Sequence, residues 1–469
     1  MIHTRMNSIR TFIGASVLAV FALGSCTSQD GIETVDQAEN GACPDSMAWL
    51  GQDPIPEPKF GTFPCGYTVN PDGSVTNRAF HEISWQYFLW LTESVTVKNE
   101  KMLRFESMYN DESINLAADD PKAKTHILGG IQQAGSNSVL VDENGRAVYT
   151  TMMINDIYRD FVVNNKLNTP EGLRNFPDST DFDNGSMSIK ASWKIIPPGK
   201  SAPKGAYTRK ATVYDVVDIN GVITTSDNYT DPAKQTTREE TVALVGLHIA
   251  FVVKDHPEFI WATFEHNDNA PSYVYKNETK GTGVPTDSDY TFYKKGTDVS
   301  ACNVSNLGAI TVDPTTQVIS GFYGVNSTTQ VYRRYEYGGG DSTNQQNIED
   351  LNNQVHNGIS KNSMWQNYSE VGAVWFNLDN GSLIPNWSLT VNPKLQTGSK
   401  TLSNSTIETF TQDPNQQNSC FSCHNTMKYT PPTGLGLDGK NVLTSHILLA
   451  NYIHALSKKN AVARIDRKE

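Results

Sequence analysis

Cys420-Phe421-Ser422-Cys423-His424 constrains this chain more than any other stretch. Two cysteines three apart with a histidine directly after them form the attachment pattern of c-type haem. The spacing follows from the chemistry, because two thiols add across the two vinyl groups of one porphyrin while the adjacent histidine ligates the iron. Random placement of 6 Cys and 10 His in 469 residues would give roughly 0.002 such matches. The competing readings are a Cys420–Cys423 disulfide or half of a zinc site. A zinc site needs two more ligands at similar spacing, and the sequence has no second C-x-x-C. One covalent haem c on Cys420 and Cys423, with His424 as axial iron ligand, is therefore the expectation.

That chemistry belongs to an exported protein, and residues 1–25 read as a signal peptide. Arg5 and Arg10 precede a mostly apolar run from Thr11 to Leu23, too short to span a bilayer. Leu23-Gly24-Ser25-Cys26 resembles the lipobox of bacterial lipoproteins, which implies a lipid on Cys26. No other stretch is apolar enough to cross a membrane, so the expected membrane contact is this anchor alone, on the periplasmic side or at the cell surface. Removing the two arginines with residues 1–25 takes the net charge from −12 to −14. So acidic a chain is a poor partner for nucleic acid. In an oxidising compartment Cys43 and Cys65 can pair, closing a Pro-rich loop worth about 3 kcal/mol. Cys302 is then left over, and it could equally take one of the other two.

Residues 26–76 are polar and turn-rich, with Pro54-Ile55-Pro56-Glu57-Pro58 at their centre, and read as a tether and irregular lead-in. From about 77 to 469 the pattern is α+β. We expect one large β-rich domain with a buried N-terminal helix and a C-terminal attachment segment (about 400–469) followed by a helix. Arg78 to Glu93 places Phe80, Ile83, Tyr87 and Trp90 on one stripe, with a far end apolar nearly all round. His81 and Glu82, in its first turn, read as solvated. Asp142-Glu143-Asn144-Gly145 is a hairpin signal, and Asn155 to Leu167 a short helix. The acidic loop of Asp178, Asp181 and Asp183 lacks the later glutamate and the ligand alternation of a calcium loop, so it reads as a solvated turn. Strands are expected at Lys190–Ile196, Ala211–Ile219, Val222–Thr225, Thr241–Val253, Phe259–His266, Gln330–Tyr337 and Val371–Phe376. Asn344 to His356 reads as a polar helix, and Leu443 to Ser457 as an amphipathic one.

Only residues 425–469 follow the motif, too few for a complete cytochrome domain. Met427 stands three residues from His424, badly placed to reach the opposite side of the same iron. The rest of the pocket must come from the β-rich body, where His248 and His266 are the candidates for the distal side. A five-residue link, Lys254 to Glu258, would pair Val253 with Phe259 and set the two histidines diagonally on one face. Gly246, Ala250 and Ala262 would leave room beside them for a flat ring. A one-residue slip would send them to opposite faces, and two ordinary histidines on a solvated sheet face is the competing reading. His446 and His454 read as exposed on the last helix, while His126, His256 and His356 carry no signal.

Several stretches together resemble a known group: Ser84-Trp85-Gln86-x-Phe88, Val245-Gly246-Leu247-His248, Ile260-Trp261-Ala262-Thr263-Phe264-Glu265-His266-x-Asp268-Asn269 and Ser419-Cys420-x-x-Cys423-His424. They look like exported bacterial proteins described as cytochrome c-like and of undefined activity. The resemblance implies haem binding and electron transfer, with Cys420 and Cys423 covalent and His424 axial; it supplies no substrate. Three functions compete: a single-electron carrier, with a strong sixth ligand on the iron; a haem-dependent peroxidase or oxidase, with an open distal site served by His248 or His266 and by Glu265 or Asp268; and a surface binding protein in which haem is structural.

Overall fold

The computed structural model describes residues 47–59, 78–117, 119–273, 281–321, 328–339, 342–412, 419–431 and 435–465. Cys26, Cys43, Cys65 and residues 1–25 lie outside them, and residues 44–469 form one compact unit. Its frame is an antiparallel sheet of eight strands, numbered here β1 (Tyr109–Asn110), β2 (Val148–Ile154), β3 (Met187–Ile195), β4 (Thr208–Tyr214), β5 (Thr237–Val253), β6 (His256–His266), β7 (Tyr368–Phe376) and β8 (Gln396–Gly398). The order across the sheet is β8-β7-β6-β5-β3-β2-β1. β4 runs beside Thr237–Ala243, ahead of β6 on the same edge of β5. Helices and a mostly antiparallel sheet make the chain a mixed α+β structure. Three two-stranded ribbons lie apart from this sheet, at Ser94–Leu103, Val216–Thr225 and Ile310–Gly321. The expected strand over Gln330–Tyr337 is absent: Arg333 makes a single bridge to Ser272.

Alternation along the central strands creates two different faces. On the first, Leu247, Ile249 and Phe251 of β5 join Ala262 and Phe264 of β6 in the largest core cluster. Helix α1 (Arg78–Leu91) closes it. Phe88 stacks on Phe264 with ring centroids 4.4 Å apart, and Phe80 on Trp375 at 4.2 Å. The helix is buried nearly all round, as its far end suggests, and the burial extends to His81 and Glu82. Those two were expected in solvent. His81 is instead fully buried and bonded through Nδ1 to Glu370 Oε1 (2.6 Å) and through Nε2 to Asn344 Oδ1 (2.8 Å). Residues 47–59 are irregular, yet Met47 and Trp49 sit in this same core.

The second face carries Ala250, Val252 and Trp261 and is covered by α2 (Asp156–Asn164), α3 (Pro170–Asn175) and the C-terminal segment. The acidic loop before β3 is part of that docking rather than a solvated turn. Lys440 bonds to Asp178 and to the Phe176 carbonyl (2.7 Å), and Asn441 Nδ2 donates to Asp181 Oδ1 (2.7 Å).

The hairpin between β5 and β6 corrects the expected register. Its turn is two residues long, Lys254-Asp255, with His256 opposite Val253. Pro257 to Phe259 then bulge out, and pairing resumes at Ile260–Phe251. Asp255 (φ 67°) and Phe259 (φ 68°) take left-handed backbone conformations to make this possible. His248 therefore faces Thr263 rather than Phe264, and the one-residue slip puts His248 and His266 on opposite faces. The space beside Gly246 is also filled. A Cβ there would lie 2.5 Å from Thr406 Oγ1 and 2.6 Å from Ser192 Oγ. Gly246→Ala should lower stability by about 1–3 kcal/mol, read from the shift of the urea unfolding midpoint.

Candidate functional site

The motif is one turn of helix, α5 (Cys420–Cys423), with the His424 amide bonded to the Cys420 carbonyl at 2.8 Å. Buried Phe421 fastens this turn to the end of β7, packing 4.8 Å from Phe376 and 5.6 Å from Trp387. Thr426 bonds Trp387 in both directions just beyond it. Phe421 thus points inward, while Cys423 is exposed and Cys420 partly so. Neither thiol is in a disulfide. Burial raises the Cys420 thiol pKa far above its ordinary value and raises that of Cys423 as well, with the Glu408 carboxylate adding to both. A nucleophilic C-x-x-C needs the opposite shift, so thiol–disulfide chemistry is disfavoured here.

His424 is held on three sides. Its Nδ1 donates to the Thr444 carbonyl at 2.8 Å, from the 3-10 turn Asn441–Thr444 that leads into α6 (His446–Ile465). The Trp261 ring of β6 lies 3.9 Å from the imidazole, and the His446 ring is stacked against it at 3.8 Å. His446 in turn donates from Nε2 to the Cys423 carbonyl (3.0 Å). It was expected to be merely exposed. It is exposed, but it braces the motif as well. With Nδ1 committed, Nε2 is the acceptor nitrogen, and no hydrogen bond reaches it among the described residues. Burial lowers the His424 pKa well below that of an ordinary imidazole, helped by His446, His248 and Lys190, so the ring is neutral at pH 7. A neutral imidazole whose second nitrogen donates to a carbonyl is the form in which histidine ligates a metal. With one exposed and one partly exposed thiol a helical turn apart, these residues fit a covalent haem. Among the described residues no group of three or more His, Cys, Asp or Glu is arranged to hold a bare metal ion.

Above the motif lies one row of register partners across the sheet: Met152 (β2), Lys190 (β3), His248 (β5) and Thr263 (β6). The segment Ser403–Thr409 is fastened across this face. Asn404 Nδ2 donates to Thr263 Oγ1 (2.9 Å) and to the Phe264 carbonyl (3.1 Å), while the Ser405 amide donates to Glu265 Oε1 (2.7 Å). This brings Glu408 to His248, whose Nε2 donates to Glu408 Oε1 at 2.8 Å. Burial alone would raise the Glu408 carboxyl, but His248 and Lys190 outweigh it and hold the pKa below the usual value.

The other distal candidates fall elsewhere. His266 is buried on the α1 side, where Nε2 donates to the Lys204 carbonyl (3.0 Å) and Nδ1 accepts from the Asp268 amide (3.2 Å). Both nitrogens are used, so His266 is withdrawn from the distal side. Glu265 is bound to Arg333 Nη2 (2.8 Å) and Ser405 and is not a partner for His248 either. The carboxylate that does the pairing, Glu408, lies 160 residues along the chain. No local pattern marks it.

No protein-family model, curated protein or solved structure matches this chain.

Proposed function

We propose that this chain is an exported lipoprotein, anchored through Cys26, that carries one covalent haem c on Cys420 and Cys423 with His424 as axial ligand and passes single electrons. The observation that supports it best is the Thr444 carbonyl on His424 Nδ1, which leaves Nε2 as a lone-pair donor beside one exposed and one partly exposed thiol. The haem supplies one-electron redox chemistry. The chain's own residues hold it: the Phe421 anchor fixes the turn, Trp261 and His446 fix the imidazole plane, and Thr444 fixes its tautomer. On the sheet row, the Met152 thioether and the His248 imidazole are the groups that would suit a second iron ligand. No helix among the described residues is long and apolar enough to cross a membrane.

The second reading is a haem-dependent peroxidase or oxidase, favoured by the His248–Glu408 pair. A carboxylate that holds an imidazole by hydrogen bonding is the arrangement of an oriented acid–base group. While that bond stands, His248 Nε2 is not available to iron. The two readings differ in iron spin state. Absorption spectra of the ferric protein matured with the haem-attachment machinery should show low-spin iron unaltered by cyanide if it is a carrier. High-spin iron that binds cyanide and reacts with hydrogen peroxide would support the enzyme instead.

A further inference from the structure

Asp142, Glu143 and Lys194 form a reactive group that the haem reading leaves unused. Lys194 stands near the end of β3 opposite Val148, which belongs with Leu140 and Val245 to a buried apolar cluster. The Asn144-Gly145 turn brings Asp142 to the same place. Lys194 Nζ contacts Asp142 Oδ2, both side chains being almost wholly buried, and Glu143 Oε1 lies 3.1 Å from the same nitrogen. The other carboxylate oxygen, Asp142 Oδ1, accepts from the Asn144 and Arg146 amides, each at 2.8 Å. Glu143 is half-exposed and so joins the buried pair to solvent.

These parts match an acyl transfer. An amine held against a carboxyl group is a nucleophile already in position. Two backbone N–H groups aimed at one carboxyl oxygen make an oxyanion hole for the tetrahedral intermediate. A second carboxylate within hydrogen-bond reach of the amine can move its protons. An ion pair withdrawn from water is costly to keep, whereas an amide between the same two groups carries no charge.

We propose that Lys194 and Asp142 condense to an intramolecular isopeptide bond, with Glu143 as the proton-transfer group. The Nζ–Cγ bond forms and the Cγ–Oδ2 bond breaks. Oδ2 leaves as water with two of the three ammonium protons, which Glu143 passes across. No cofactor or oxidant takes part, so the inference is independent of the haem reading. The bond fastens the hairpin turn to the central sheet across a separation of 52 residues, a staple of the kind that disulfides supply outside the cytoplasm.

The test is peptide mapping by mass spectrometry of the full-length protein as wild type, Lys194→Met and Glu143→Gln. Trypsin cuts after lysine and arginine, but not after a lysine whose amine is acylated. The linked protein therefore gives one branched species, residues 125–146 joined to residues 191–200, lighter than its two parts by one water. Lys194→Met abolishes that species and releases residues 125–146 on their own. Glu143→Gln slows linking about a hundredfold, read as the linked fraction at fixed times after synthesis. A wild type cut after Lys194, giving residues 125–146 and 191–194 as separate peptides, would overturn the proposal without reliance on how any variant folds. A Glu143→Gln protein that links as fast as the wild type would overturn the part assigned to Glu143.

Discussion

Replacing His81 with alanine should cost about 3–5 kcal/mol of folding stability, the usual penalty for breaking a buried charged pair from one side. His81 and Glu370 are both fully buried, and each His81 nitrogen faces an oxygen: Glu370 Oε1 on one side and Asn344 Oδ1 on the other. The Asn344 amide is oriented by donating Nδ2 to the Gly338 carbonyl (2.7 Å) and to Ser399 Oγ (3.0 Å), so its oxygen must face His81. The ring therefore donates from both nitrogens and is an imidazolium. Burial alone would lower its pKa, but Glu370 and Asn344 prevail and raise it above the ordinary 6.5. Alanine leaves the Glu370 carboxylate buried without its partner and pulls α1 from β7 and α4 (Ser342–Gly358). Urea unfolding measures the loss.

The pH dependence has a definite sign. A group with a raised folded-state pKa stabilises fully below its unfolded value and loses that contribution as pH rises through the folded value. The stability gap between wild type and His81→Ala should thus be widest near pH 6.5. It narrows on the alkaline side as the imidazolium loses its proton, and on the acid side as the Glu370 carboxyl, whose pKa burial raises, takes one up and no longer needs a charged partner. A gap of less than about 1 kcal/mol even at its widest would show that the pair contributes little.

The sequence made some parts of this chain legible and hid others for identifiable reasons. The α1 segment is recognisable because Phe80, Ile83, Tyr87 and Trp90 repeat at helical spacing. Asn144-Gly145 marks its hairpin, with the Gly145 amide bonded to the Asp142 carbonyl at 3.0 Å. The long strands β5 and β6 are legible from their Val, Ile, Thr and aromatic content. Their register was not, because Lys254-Asp255 carries no Asn-Gly signature and a bulky residue such as Phe259 rarely adopts positive φ. That single bulge decides which histidines share a face.

Long-range pairing hid the remainder. Nothing near His81 announces Glu370, 289 residues away, and nothing near His248 announces Glu408. His446 reads as an exposed helical histidine until the preceding turn folds it onto His424. The attachment motif, by contrast, is chemically complete within five residues. The sheet adds its setting: Trp261 and His446 against the His424 imidazole and the Thr444 carbonyl behind it.

Loss of both thiols should have the largest effect on function. With Cys420→Ala and Cys423→Ala combined, no thioether can form. The turn should survive, since Phe421 anchors it through Phe376 and Trp387 and the thiols make no disulfide. The variant should fold as the wild type does and lack covalent haem entirely. The decisive measurement is the absorption spectrum of the two proteins, each matured with the haem-attachment machinery and then denatured and stripped of non-covalent pigment. The wild type is expected to retain a haem c spectrum and the double variant to show none. A double variant that keeps the same bound chromophore, or a wild type without one, would contradict the assignment of Cys420, Cys423 and His424 as a haem site.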